Sequence, residues 1–156
     1  METTYKEIQS PDERGSICND VLRSLPDWFG IEEAIVDYVN QSRGLPVFAA
    51  FDGGLPVGFV ALKQHNAYTA EVCVMGILQR YHRHGIGREL IRWCEESCRS
   101  RNMRFLTVKT LDETGNSAEY DRTRAFYLAM GFMPLEVFKT LWDERNPCLF
   151  LAKCVR

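Results

Sequence analysis

An apolar run that halts at a basic turn and restarts as a helix on Gly-Ile-Gly is the feature that most limits how this chain can fold. Glu71 to Ile77 predicts a strand, and Gly85 to Arg101 predicts a helix with apolar positions Ile86, Leu90, Trp93 and Cys94. Between them lies Leu78-Gln-Arg-Tyr-His-Arg-His84. A helix start leaves about four backbone N–H groups without partners and carries about half a positive charge. Glycines there let the main chain approach a ligand closely, which suits a phosphate or pyrophosphate. Arg80, Arg83 and Arg88 crowd the same turn with His82 and His84. These residues predict a cradle for a phosphorylated cofactor. A dinucleotide fingerprint would need glycine where Leu90 stands, and no Gly-x-x-x-x-Gly-Lys-Ser/Thr loop occurs.

The rest of the composition narrows the partners. A length of 156 residues predicts a single domain, residues 1–156, able to bury a core without staples. A net charge of −2 makes the basic turn a local feature and argues against a nucleic-acid partner. The N-terminal Met-Glu-Thr-Thr-Tyr-Lys-Glu lacks a secretory pattern, and apolar stretches such as Leu45–Phe51 are too short to span a bilayer. A cytoplasmic protein with no membrane partner is therefore expected, its six cysteines reduced and none of them in a Cys-x-x-Cys pair. His82-x-His84 has no third ligand nearby, so no metal is expected.

Coarse element signals fill in the order. Thr3–Ile8 predicts a strand, and Pro11–Leu25 a helix with Ser10 as N-cap. Pro26-Asp-Trp-Phe-Gly30 breaks it before a second helix, Ile31–Ser42. Val47–Phe51 and Val57–Lys63 flank Asp52-Gly-Gly54, a hairpin signal. After the long helix come a strand at Arg104–Thr110, a polar loop at Asp112–Tyr120 and a helix at Asp121–Met130 closed by Gly131. Phe132–Phe138 and Cys148–Cys154 finish as strands around a loop holding Trp142. The order β-α-α-β-β-β-α-β-α-β-β predicts an α/β (α+β) fold, a mixed sheet carrying helices.

Three stretches together resemble the GNAT N-acetyltransferases. His82-Arg-His-Gly85-Ile-Gly87 matches their Gln/Arg-x-x-Gly-x-Gly/Ala motif after the fourth strand, with His82 in place of Gln or Arg. Ala125-Phe-Tyr127-Leu-Ala-Met-Gly131-Phe132 nearly reproduces their Ala-x-x-Phe/Leu-Tyr-x-x-x-Gly-Phe signature, and the hairpin Phe51–Phe59 fits their second and third strands. Arg122 stands where many members carry Asn. The resemblance covers about residues 3–154. It implies a mostly antiparallel sheet with splayed central strands, flanked by about four helices.

The resemblance also implies acetyl-CoA as co-substrate, direct attack by a primary amine in a ternary complex, and roles for named residues. Backbone N–H groups of Arg83, His84, Gly85, Ile86, Gly87 and Arg88, with His82 at the start of the motif, would hold the pyrophosphate. Met75 N–H would polarise the thioester carbonyl, and Ile77 would pair with the pantetheine arm. Tyr127, as a phenol protonated at neutral pH, would be the general acid. Glu71, on an otherwise apolar strand, matches the glutamate base of the histone-acetylating branch; ordered water serves that purpose in other members. Trp28 and Phe29 between the first two helices, and Trp142 near the chain's end, fall in loops that would receive the acceptor. A small-molecule amine fits these aromatic and acidic loops; the same aromatics would also suit the contact of a homodimer. A protein lysine or N-terminus is the alternative acceptor. A non-catalytic acyl-CoA sensor is the alternative outside enzymes.

Overall fold

The computed structural model describes residues 2–155. The chain runs β1 (Thr3–Ile8), α1 (Pro11–Arg23), α2 (Glu32–Arg43), β2 (Val47–Asp52), β3 (Leu55–Gln64), β4 (Thr69–Ile77), α3 (Ile86–Ser100), β5 (Phe105–Leu111), α4 (Ala118–Ala129), β6 (Met133–Asp143) and β7 (Asn146–Cys154). The order of elements is the one the sequence predicts. The strands follow the order β1-β2-β3-β4-β5-β7-β6 in a mostly antiparallel sheet. Two compact units divide the chain: the first holds everything up to Lys63 with Val72–Ser97, the second Gln64–Glu71 with the chain from Cys98 on.

In the first unit, local signals and core burial agree. Ser10 caps α1 by accepting from Glu13 N–H, and Pro11 starts the helix where a missing N–H costs nothing. The apolar face of α1, Ile17, Cys18, Val21 and Leu22, joins Ile35 of α2 over Ile8, Val47, Ala49, Phe51, Phe59, Ala61 and Val74. Fully burying each of the Val, Leu, Ile and Phe side chains among them contributes about 1.5–3 kcal/mol. The alternate residue Phe48 meets Trp93 of α3, ring centroids 5.7 Å apart, so β2 is packed on both faces. Gly53 adopts φ 63° in the two-residue turn between the paired residues Asp52 and Leu55.

Two glycines control the end of β4. A Cβ on Gly76 would lie 3.0 Å from Val21 Cγ1 and 3.3 Å from Leu25 Cδ1, so α1 rests directly on the strand. A Cβ on Gly58 of β3 would lie 3.1 Å from Ile77 Cγ1 and 3.3 Å from both Gly76 O and Ile86 Cγ2. The first residue of α3 is thus seated against bare backbone, which fixes where the basic turn begins.

In the second unit, β7 pairs with β5 from Phe105↔Cys154 to Leu111↔Cys148 and with β6 on its other side. Two expectations fail here. Trp142 lies in β6, not in a loop, because Asp143 accepts from the N–H groups of Arg145 and Asn146 and tightens the connection. The fourth helix begins at Ala118 instead of Asp121, because Ser117 accepts from Tyr120 N–H and caps it early. Gly131, at φ 94°, ends α4, and Lys153 Nζ donates to Met130 O at 2.5 Å.

Candidate active site

The basic turn is a folded object and not slack chain. Leu78 N–H donates to Val57 O at 2.9 Å, and Gln79–Tyr81 form one 3-10 turn closed by Tyr81 N–H to Leu78 O and His82 N–H to Gln79 O. The Tyr81 hydroxyl donates to Asp52 Oδ2 at 2.6 Å, which ties the turn to the β2–β3 hairpin and raises the phenol's pKa. Arg83 then takes φ 64° and Gly85 φ 83°. Two left-handed residues around His84 curl the main chain so that successive N–H groups face one way, an anion-binding geometry. Glu89 N–H is the first to bond back into the helix, to Gly85 O, so the N–H groups of Ile86, Gly87 and Arg88 face outward from its start. A Cβ at Gly85 would meet nothing within 4 Å, which leaves the approach open. Arg80, Arg83, His84 and Arg88 are exposed around this opening, while Ile86 and Gly87 are buried beneath it. The donors, the open approach and the cationic rim fit a pyrophosphate.

Met75 and Ile77 sit half-buried on the last turn of strand before this loop. His82 stands apart from its neighbours. Its Nε2 lies 2.6 Å from Ile77 O, so that nitrogen carries a proton and donates. Its ring meets Trp28 edge-on, centroids 5.5 Å apart and planes at 78°. Trp28 and Phe29, adjacent in the α1–α2 loop, diverge: Phe29 packs on Tyr38 of α2 at 6.2 Å.

The predicted residues of the second unit lie in different settings. Glu71 is buried, at 7% exposure, but its surroundings are not the apolar strand expected. Lys109 Nζ approaches its two carboxylate oxygens at 3.0 and 3.2 Å, and His65 Nε2 lies 2.6 Å from Oε1. Lys109 also stands over the Phe150 ring at 5.8 Å, and Phe150 leans on Phe138. Cys148 faces the same charges, and burial pushes its thiol up to about 11. Lys109 and His65 escape a sequence reading because they come from β5 and the β3–β4 turn and belong to no motif. Tyr127 is buried in α4, its ring edge-on to Phe126 at 5.3 Å and to Phe132 at 5.5 Å. Trp142 is exposed on β6 beside Asp143, whose carboxyl is held below its ordinary range first by its hydrogen bond from Asn146.

Known proteins share both the sequence pattern and the fold. The model of the acetyltransferase (GNAT) family matches residues 12–132. No curated protein matches the sequence. Among solved structures, one described as a GNAT-family acetyltransferase from Desulfovibrio desulfuricans is 16% identical with a TM-score of 0.84, over 99% of this chain and 100% of the other. An aminoglycoside 6'-N-acetyltransferase complexed with coenzyme A is 17% identical, TM-score 0.76, over 100% and 98%. The ribosomal-protein-S18-alanine N-acetyltransferase of Escherichia coli is 16% identical, TM-score 0.76, over 99% and 94%. At these identities the solved structures speak for the fold, and the family match for descent. With more than half of its residues matched, and the turn at Arg83–Arg88 inside the matched span, the chain belongs to the acetyltransferase (GNAT) family.

Proposed function

We propose that the chain, acting as one domain, is an N-acetyltransferase that moves an acetyl group from acetyl-CoA to the primary amine of a small molecule. The observation that carries this reading is the left-handed pair Arg83 and Gly85 at the start of α3, with backbone donors and arginines around an open approach. A structural neighbour with coenzyme A bound supports the choice of cofactor.

Transfer to an amine needs a held thioester, a neutral amine, a polarised carbonyl and a proton for the leaving sulfur. Acetyl-CoA supplies the activated acetyl thioester. The N–H groups from Arg83 to Arg88 hold the pyrophosphate, and the exposed guanidinium groups meet the remaining phosphate. Met75 N–H would polarise the thioester carbonyl; a donor of this kind contributes about 3 kcal/mol where charge develops. Ile77 would pair with the pantetheine arm, its carbonyl having one of its two acceptor positions taken by His82. Tyr127 gives its phenolic proton to the departing sulfur. Glu71 takes the proton lost by the amine, directly or through water, and His65, 37% exposed at the side chain, offers that proton a way to solvent. Lys109 holds the carboxylate in place between the two.

A small cationic amine suits the α1–α2 loop and the end of β6. Trp28 and Phe29 follow Asp27, and Trp142 precedes Asp143 and Glu144. Aromatic faces and carboxylates attract an ammonium group before it loses its proton. Calorimetric titration with acetyl-CoA, dephospho-CoA and NAD tests the cofactor reading. Acetyl-CoA should bind tightest, and absent binding overturns the assignment. Mass spectrometry on a panel of aminoglycosides, polyamines and a peptide with N-terminal alanine then tests the acceptor. Acetylation of the peptide alone would move the substrate class to proteins, and binding with no transfer to any amine would favour a sensor.

A further inference from the structure

We propose that the proton lost by the acceptor amine comes to rest on Nδ1 of His65, with Glu71 orienting the ring, an assignment that rests on the acetyl-transfer reading. His65, Glu71 and Lys109 all belong to the second unit. The His65 side chain does not build the turn it sits in. His65 N–H donates to Thr69 O at 2.9 Å, and Asn66 Oδ1 accepts from the N–H groups of Tyr68 and Thr69 at 2.8 and 3.0 Å. Main chain and Asn66 thus shape the connection from β3 to β4. The imidazole is turned onto Glu71 instead, with Nε2 2.6 Å from Oε1. Facing a carboxylate oxygen at that distance, Nε2 carries the hydrogen and donates it. The hydrogen bond of one ring nitrogen sets the state of the other, so the basic lone pair lies at Nδ1.

Glu71 itself is a poor place for that proton to stay. Lys109 Nζ lies 3.0 and 3.2 Å from its two oxygens, and the Lys109 side chain is only 30% exposed. With the bond from His65, three of the carboxylate's roughly four acceptor positions are taken. A proton held there would leave a largely buried ammonium without its counter-charge, which is costly. On His65 the same proton makes an imidazolium beside the carboxylate, and the pair of Glu71 with Lys109 stays intact. Cys148 of β7 also faces these charges, but burial pushes its thiol up to about 11, so it stays neutral. Arg101 reaches the residue before His65, donating to Gln64 Oε1 at 3.0 Å. The step balances. The amine nitrogen bonds to the acetyl carbon, and the C–S bond breaks with its electron pair going to sulfur, which Tyr127 protonates. The amine's proton passes by the open position of Glu71 and water to Nδ1, and from there to solvent.

The pH dependence of kcat, at saturating acetyl-CoA and with an amine that the panel shows to be acetylated, tests this. Imidazole is the side chain that ordinarily changes charge between about pH 5 and 8. The wild-type profile should contain one ionisation in that window that His65→Gln lacks, and kcat of the variant near neutrality should fall at least tenfold. His82, His84 and the amine itself are common to both proteins, so the difference belongs to position 65. Acetyl-CoA affinity of the variant, read by calorimetry, should match the wild type and show that it is folded. Lys109→Met keeps a long side chain over Phe150 and removes the cation. Its ionisation should move to higher pH, because imidazolium then faces a carboxylate with no competing charge. Nitrogen-15 NMR of histidine-labelled protein reads the resting ring without any acceptor. At pH 8 the His65 signals, identified by their loss in His65→Gln, should show hydrogen on Nε2 and none on Nδ1. An unchanged profile in His65→Gln, a downward shift in Lys109→Met, or hydrogen on Nδ1 at pH 8 would each overturn the role of His65 and return the proton to Glu71. Binding of acetyl-CoA with no transfer to any amine would defeat the acetyl-transfer reading itself, and the role of His65 with it.

Discussion

Gly85 shows how much of this site depends on single backbone angles. Its φ of 83° is strained for any L side chain, yet a Cβ there would touch nothing within 4 Å. Strain and obstruction can therefore be separated. Gly85→Ala should fold with a loss of about 1 kcal/mol and still bind acetyl-CoA, more weakly. Gly85→Asp sets a negative charge in the cradle and should abolish binding while its loss of stability stays comparable, as urea unfolding and calorimetry on both variants would show. Wild-type affinity in the aspartate variant would remove the turn from the cofactor site. At Tyr127 the ring is held by Phe126 and Phe132, so Tyr127→Phe keeps the packing and deletes only the hydroxyl. Acetyl-CoA should bind as before while kcat falls at least tenfold, about 1.4 kcal/mol of barrier. Unchanged turnover would free Tyr127 of its role. These residues were legible because short motifs carry them. Lys109 and His65 were not, since Glu71 meets them only after β5 and the β3–β4 turn are brought beside it.

The elements differ in how openly the sequence declares them. Asp52-Gly-Gly-Leu55 announces its turn by chemistry that glycine satisfies without strain. The start of α4 is quieter. Ser117 lacks the Glu or Gln three residues on that would complete a capping box, so Asp112–Tyr120 reads as loop until the hydroxyl is seen accepting from Tyr120 N–H. The same loop holds a pH-sensitive anchor. Asp112 is kept below its ordinary carboxyl range, first by the Thr114 hydroxyl at 2.7 Å and then by backbone N–H groups. A depressed carboxylate adds stability above its unfolded pKa of about 3.9 and loses it as pH falls through the folded value. The stability gap between wild type and Asp112→Asn should therefore be full at pH 6 and close on acidification below about pH 4, measured by urea unfolding. A gap independent of pH would contradict that origin. Gly58 tests how β3 seats α3. Gly58→Val forces branched carbon against Ile77, Gly76 O and Ile86, an overpacking cost of about 1–3 kcal/mol. Because Ile86 is the first helical residue after the turn, acetyl-CoA affinity should fall in this variant although residue 58 lies outside the motif. Calorimetry showing affinity retained would mean that the turn keeps its shape without the close seat.

At the scale of the whole molecule, the element order follows from periodicity together with cap and turn signals, whereas the resemblance to an acetyltransferase family needed several motifs in the right order. Neither fixes the acceptor, because Trp28, Phe29 and Trp142 and the acids beside them follow no spacing rule. The cofactor, by contrast, leaves a mark on global stability that needs no acceptor. A ligand that binds only the folded chain stabilises it by about 2.7 kcal/mol at a hundredfold excess over Kd. For a chain of this length each kcal/mol raises the melting temperature by about 2–4 °C, so acetyl-CoA should raise it by about 5–10 °C. Dephospho-CoA keeps the pyrophosphate and lacks the adenosine phosphate. If the backbone donors of Arg83–Arg88 supply most of the binding, it should give more than half of that rise; if the exposed arginines dominate, it should give far less. Scanning calorimetry at matched ligand concentrations decides between them. Equal shifts with NAD, which offers a pyrophosphate without pantetheine, would show that the turn recognises the anion alone and that β4 contributes nothing to holding the arm.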